Sequence, residues 1–237
     1  ANDTTKLKLP FKKEIIFKNV SYKYPKTSKN ILKNFNFKIK RNDFICISGE
    51  SGRGKTTFLD LLSGLIEPVS GKIFVDKVDI NTKIRMWINN IGYVHQKVYL
   101  IDDTIKNNIA FDGKKINEEK LKYAVKLAQL DKLINNKKNG LNYRVGDDGS
   151  RLSGGQIKRI GIARSLYQMP QVLIYDEITS SLDKETEQSI IKTLVALTKK
   201  LTVIFITHRP DIVKGKNVKK FFLSKNGSST RLIKLKK

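Results

Sequence analysis

The chain has 237 residues, 39% hydrophobic and 29% charged, with a formal net charge of +25. That length can bury a sizeable core in one large or two small domains. No apolar run approaches the ~18 residues that a membrane-crossing helix needs, no charged-then-apolar signal segment stands at the start, and the single Cys46 excludes an internal disulfide.

Residues 1–13 are polar and basic and read as a linker or tail, leaving one domain over 14–237. Strand-like stretches follow from Ile15 (IIFKNVSYKY), Ile31 (ILKNFNFKI) and Asp43 (DFICIS), with Pro25, Lys26 and Ser28 marking a turn. Cys46 in the third stretch reads as a small buried core residue. That stretch runs into a Gly-rich loop, and Thr56–Leu65 then carries apolar residues at helical spacing, with Gly64 suited to its end. Lys72–Val75 and Ile91–Val94 predict strands. Glu118–Ile134 predicts an amphipathic helix with Asn117 as its N-cap, and Ile157–Tyr167 predicts another, stopped before Pro170. Val172–Tyr175 and Leu201–Thr207 are short apolar strands of the buried parallel kind. Lys184–Thr198 predicts a helix, and Asn226-Gly227 a turn. Strands alternating with helices argue for an α/β fold.

Residues Gly49–Thr56 read GESGRGKT and match GxxxxGK[ST]. In such a loop Gly49, Gly52 and Gly54 let backbone N–H groups approach phosphates, and Glu50, Ser51 and Arg53 fill the turn between them. The following helix directs its positive N-terminal end at the same oxygens, with Thr57 in its first turn. Lys55 reaches the β- and γ-phosphates and the Thr56 hydroxyl binds Mg²⁺. The chain is therefore expected to bind ATP or a close relative with Mg²⁺. Val172–Glu177 (VLIYDE) is an apolar strand ending in two acids. Alone, such a pair is a solvated strand end or a helix cap. Beside a phosphate loop, Asp176 holds Mg²⁺, mainly through water, and Glu177 polarises the water that attacks the γ-phosphate.

Leu152, Ser153, Gly154, Gly155 and Gln156 spell LSGGQ. Ser153 opens a helix and the two glycines expose backbone N–H groups at its start, which makes a second anion site. With this motif the chain resembles the nucleotide-binding domain of ABC transporters, over roughly Ile15 to Lys225. The resemblance implies a P-loop NTPase core with a mixed sheet, an antiparallel β subdomain on the N-terminal side, and a small helical subdomain over about 97–168 carrying LSGGQ. It also implies a head-to-tail dimer holding two ATP, each between the phosphate loop of one subunit and LSGGQ of the other. By the same resemblance Tyr24 stacks on adenine and Gln96 touches Mg²⁺ and a transmembrane partner. Ser181, Leu182 and Asp183 form the loop that crosses the dimer, and His208 is the switch histidine at the γ-phosphate. Glu177, His208 and Gln96 form the implied catalytic set, with Thr56, Gln96 and Asp176 around the metal. His95 and Ile178 depart from common family residues, and neither is assigned to chemistry.

Arg144–Gly149 (RVGDDG) and Tyr99–Ala110 (YLIDDTIKNNIA) resemble exporter segments that lie against membrane helices. They imply a half-transporter with its membrane domain on the same full-length chain, a homodimer when ATP is bound, and the cytoplasmic face of a bacterial inner membrane. The Ala1 start and basic linker fit an excised C-terminal domain. The cassette is similar to those of bacterial flippases for lipid-linked oligosaccharides and of lipid or peptide exporters, so the implied cargo is a lipid, glycolipid, polysaccharide or peptide. Three readings compete for the +25 charge: nucleic acid, an anionic membrane surface, or a solvated basic face. The lysines are scattered, which favours the last, and no nucleic-acid partner is expected. An ABC-type ATPase acting on nucleic acid or ribosomes is the alternative. Nucleic-acid relatives insert long coiled coils or extra domains between the two motifs, and translation-associated ones carry twin cassettes. Here Thr56 and Leu152 are about 100 residues apart, without heptads, which suits a small helical subdomain.

Overall fold

Two sheets meet around a phosphate loop. The computed structural model describes residues 7–25, 27, 30–50, 52–111, 115–176, 182–215, 217–226 and 229–235. Of the predicted features, Ser51, Glu177, Ser181, Lys26, Ser28, Ile178 and Gly227 lie outside these residues. In chain order the elements are β1 (Glu14–Tyr22), β2 (Leu32–Lys40), β3 (Phe44–Ser48), α1 (Lys55–Ser63), β4 (Ser70–Val75), β5 (Val78–Asp79), α2 (Ile84–Ile88), β6 (Ile91–Val94), α3 (Ile105–Ala110), α4 (Glu118–Leu127), α5 (Asp131–Asn135), α6 (Gly154–Tyr167), β7 (Val172–Tyr175), α7 (Lys184–Leu197), β8 (Thr202–Ile206), β9 (Val218–Asn226) and β10 (Ser229–Lys234).

The first sheet has the order β2-β1-β4-β5 and is antiparallel throughout. The second has the order β10-β9-β3-β8-β7-β6. Its strands β6 to β9 and β3 run parallel, and β10 returns antiparallel to β9. The mixed sheet and the N-terminal antiparallel sheet both match the sequence reading. Parallel strands covered on both faces should be apolar throughout, and β3, β7 and β8 are buried at every position.

Their alternating side chains serve two separate cores. Ile45, Ile47, Val172, Ile174, Ile204 and Ile206 join α1, α2 and the antiparallel sheet. Phe44, Cys46, Leu173, Tyr175, Val203 and Phe205 join α3 to α7. In the first core Phe17 stacks on Phe58 with centroids 5.1 Å apart, and Phe37 meets Phe221 edge-on at 5.0 Å, linking the two sheets.

Three differences from the sequence reading have physical causes. The helix expected over 118–134 is two helices, α4 and α5. Gln129 takes a left-handed φ of 55°, which ends α4 and swings Leu130 fully into the core. The hairpin β9–β10 was not predicted as strands: β9 lies between β3 and β10, and its Lys219 and Lys220 break up the apolar run that marks β3, β7 and β8. Within residues 7–13, read as linker, Leu9 and Phe11 are buried in the first core. Asn90 donates to the Leu9 carbonyl at 2.7 Å, Phe11 meets the ring of Trp87 edge-on, and Lys8 reaches the Gln168 carbonyl at the end of α6 at 2.9 Å.

Candidate nucleotide-binding site

β3 delivers the chain into the phosphate loop, and α1 begins immediately after it. Gly54 caps α1 with φ 99° and ψ 17°, a left-handed conformation that favours glycine. A Cβ there would also lie 2.9 Å from Ile31 Cγ2. Lys55 Nζ donates to the Gly49 carbonyl at 2.7 Å and the Glu50 carbonyl at 3.0 Å. The ammonium thus lies across the loop mouth, donating to two backbone carbonyls whose place phosphate oxygens could take as acceptors. Arg53 Nε donates to Glu50 at 2.6 Å, bracing the outer turn.

Around this loop lies a cavity of about 430 Å³ lined from widely separated segments. Tyr24 comes from just past β1, Ile31 from just before β2, Gly52 and Gly54 to Thr57 from the loop and α1, Gln96 from beyond β6, Asp176 from the end of β7, and Ile206 and His208 from the end of β8. All but Tyr24 and Ile31, which come from the antiparallel sheet, lie at carboxyl ends of parallel strands, where ligands bind in open α/β sheets. The Tyr24 ring is 40% exposed. Its hydroxyl lies 3.2 Å from Thr57 Oγ1 and its edge meets Tyr22 at 5.2 Å, which fixes the ring at the cavity wall. A larger hollow of about 870 Å³ lies at the opposite end of β3, beside Asn42, Asp43, Lys214, Lys219 and Lys220. It holds none of the predicted residues, so its size does not make it the nucleotide site.

Asp176 is anchored by its own N–H to the Val94 carbonyl at 3.0 Å. Tyr93 donates its hydroxyl to Asp176 Oδ2 at 3.1 Å. Burial, then the Asp176 charge, push the Tyr93 hydroxyl well above its ordinary value, so it stays a donor. Burial and the same carboxylate also raise Asp60, four residues after Thr56. The Gln96 carbonyl accepts a hydrogen bond from Lys158 of α6, a buried lysine whose pKa is lowered by desolvation. At the other wall, Thr207 N donates to the Ile47 carbonyl at 3.1 Å, tying the start of the His208 loop to β3. Arg209 beside it pairs with the buried Glu187 of α7 at 2.6 Å.

None of Leu152, Ser153, Gly154, Gly155, Gln156, Leu182 or Asp183 lines the cavity. Ser153 caps α6 through a reciprocal box: its hydroxyl accepts from Gln156 N at 3.3 Å, and Gln156 Oε1 accepts from Ser153 N at 3.0 Å. Ser153 and Gly154 face solvent, whereas Gly155 is buried. A Cβ on Gly155 would fall 2.4 Å from Thr186 Cγ2, and one on Gly154 would fall 3.2 Å from Leu182 Cδ2. The glycines therefore let α6 approach the start of α7. Asp183 caps α7 by accepting from Thr186 N at 2.8 Å, a bond that holds its carboxyl below the usual range.

Sequence reasoning missed Tyr93, Asp60, Lys158 and Glu187. Asp60 had a signal, since a residue four after Thr56 shares its helix face. The others depend on tertiary contacts.

A phosphate loop at the end of a parallel strand, an acid at the end of a second parallel strand one place beyond its neighbour and a polar cavity between them define a P-loop nucleoside triphosphatase. Comparison with known proteins narrows the class. The family model described as ABC transporter matches residues 32–180. Leukotoxin translocation ATP-binding proteins LktB of Mannheimia glucosida, Mannheimia haemolytica and Bibersteinia trehalosi are each 39% identical over 212 residues, which is 89% of this chain and 30% of theirs. The chain thus spans less than a third of the length of these curated relatives. A bacterial Atm1-family ABC exporter solved with ATP bound superposes with a TM-score of 0.79 at 31% identity, covering 98% of this chain and 40% of that one. The chain belongs to the ABC transporter family. Among the described residues no helix is long and apolar enough to cross a membrane.

Proposed function

We propose that the chain is the ATPase motor of an exporter and that two copies close head to tail over two ATP molecules. The observation that carries this reading is an incomplete site. One copy gathers Tyr24, Lys55 to Thr57, Gln96, Asp176 and His208 around one cavity, while Ser153 and Gly154 stand exposed outside it. A γ-phosphate held by Lys55 lacks the second set of donors until LSGGQ arrives from another copy.

In this reading Tyr24 stacks on the base, and the loop amides with Lys55 hold the phosphates. Glu177, next to Asp176, takes a proton from the attacking water, and His208 donates to the γ-phosphate oxygens. Leu182 and Asp183, with Ser181, cross beside the opposite site. Thr56, Gln96 and Asp176 share the cavity and supply hydroxyl, amide and carboxylate oxygens, a donor set that suits Mg²⁺. The ion, when bound, neutralises charge on the β- and γ-phosphates.

The relatives' names, translocation of a leukotoxin and an Atm1-family exporter, support export through a transmembrane partner at the cytoplasmic membrane face. The leukotoxin in the relatives' name adds a toxin to the cargoes considered, beside the lipid, glycolipid, polysaccharide or peptide that the cassette allows. The test is the mass of the Glu177→Gln chain by light scattering. It should double with ATP and return to the monomer value with ADP. A mass unchanged by ATP sinks the proposal.

A further inference from the structure

The Asp176 carboxylate has two oxygens and two tasks: it must keep its place in the cavity wall and present charge to the phosphate end. One oxygen, Oδ2, is occupied by the Tyr93 hydroxyl at 3.1 Å. That tyrosine is itself fixed from two sides. Its backbone lies in β6, paired in register with Ile174, two residues before Asp176. Its ring stacks on His95 with centroids 4.2 Å apart and an interplanar angle of 26°. Ring orientation, strand register and the hydrogen bond all aim the phenol at Oδ2, while Asp176 itself lines the cavity. Side chains that hold a metal-ligating carboxylate in place are worth tenfold or more in metal affinity elsewhere.

We infer that Tyr93 is a positioning residue: its hydroxyl holds Oδ2 of Asp176 so that the carboxylate is kept in place to serve the divalent ion of the nucleotide complex, mainly through water. This rests on the reading of Asp176 as a metal residue. Tyr93 itself touches neither nucleotide nor ion.

The experiment uses the whole 237-residue chain with a non-hydrolysable ATP analogue and Mn²⁺ as the probe, free Mn²⁺ being counted by electron paramagnetic resonance. Tyr93→Phe keeps the ring and the stack on His95 and removes the hydroxyl. It should bind Mn²⁺ about tenfold more weakly, while analogue affinity in EDTA stays at the wild-type value. Asp176→Asn is the control for the underlying reading. If it binds Mn²⁺ as wild type does, the metal role of Asp176 fails and takes this inference with it. If Asp176→Asn weakens Mn²⁺ binding but Tyr93→Phe stays within about twofold of wild type, the inference alone is overturned. Loss of analogue affinity in EDTA by Tyr93→Phe also overturns it, since the tyrosine would then be shaping the cavity rather than the carboxylate.

Discussion

Replacing Gly155 by alanine tests whether the signature glycine is a packing residue as well as a recognition residue. The new methyl would sit 2.4 Å from Thr186 Cγ2, roughly 1 Å inside ordinary carbon contact. Thr186 cannot back away easily, because its N–H is held by the Asp183 cap at 2.8 Å. Overpacking of this kind costs about 1–3 kcal/mol. Alanine in place of glycine in a helix recovers about 0.5–1 kcal/mol, so the net loss should be about 1 kcal/mol. Thr186→Ser removes the offending methyl and keeps the hydroxyl. It should cost little alone and should restore most of the loss when combined with Gly155→Ala. Urea unfolding of the four proteins gives the coupling energy directly, expected near 1 kcal/mol in the rescuing direction. Strict additivity of the two changes would refute the contact and leave phosphate recognition as the only reason for the glycine.

Two further outcomes follow from single side chains. Asp76 sits in the β4–β5 turn; burial pushes its carboxyl up, but N–H donors from Glu14, Lys12 and Lys13 at 2.9, 2.9 and 2.8 Å outweigh that and lower it. A folded pKa below the unfolded one gives stability that is complete above about pH 4 and lost as the pH falls through the folded value. Asp76→Asn should therefore flatten the fall in urea midpoint between about pH 6 and pH 3, and an unchanged slope would count against the cap. Burial pushes the Cys46 thiol up to about 12, so a disulfide reagent near pH 8 should label it only as fast as the chain unfolds; rapid labelling of the folded protein would contradict its place in the core.

The turn into α1 at the phosphate loop, the buried strand Val172–Tyr175 and the helix start at LSGGQ were legible because each is local. A few consecutive residues define both the backbone shape and the chemistry, and flanking apolar strands place them. Gly64 was legible as the end of α1 for the same reason: it takes φ 75° and its N–H reaches the Leu61 carbonyl. What stayed hidden depends on residues far apart in the chain. Tyr93 reads as any strand residue until β6 pairs with β7. Lys158 reads as helix surface until α6 lies against the Gln96 loop. Gln129 in a left-handed turn carries no residue signal, since glycine or asparagine would be the usual choice there. Trp87 lies in a five-residue helix, too short for a periodic pattern, and is identified only by its bond to the Leu62 carbonyl at 2.7 Å and its complete burial.

The alternation of β3, β7 and β8 between two cores has a consequence for any attempt to dissect the chain. Residues 97–168, which carry LSGGQ, resemble a detachable module, yet their apolar side chains rest on Phe44, Cys46, Tyr175 and Phe205. Removing them would leave mainly α7 to cover one side of the strands whose far side anchors α1 and whose carboxyl ends carry Ser48, Asp176 and His208. The nucleotide cavity would not survive the excision, and a protease cut within that region should melt both halves together rather than release one intact.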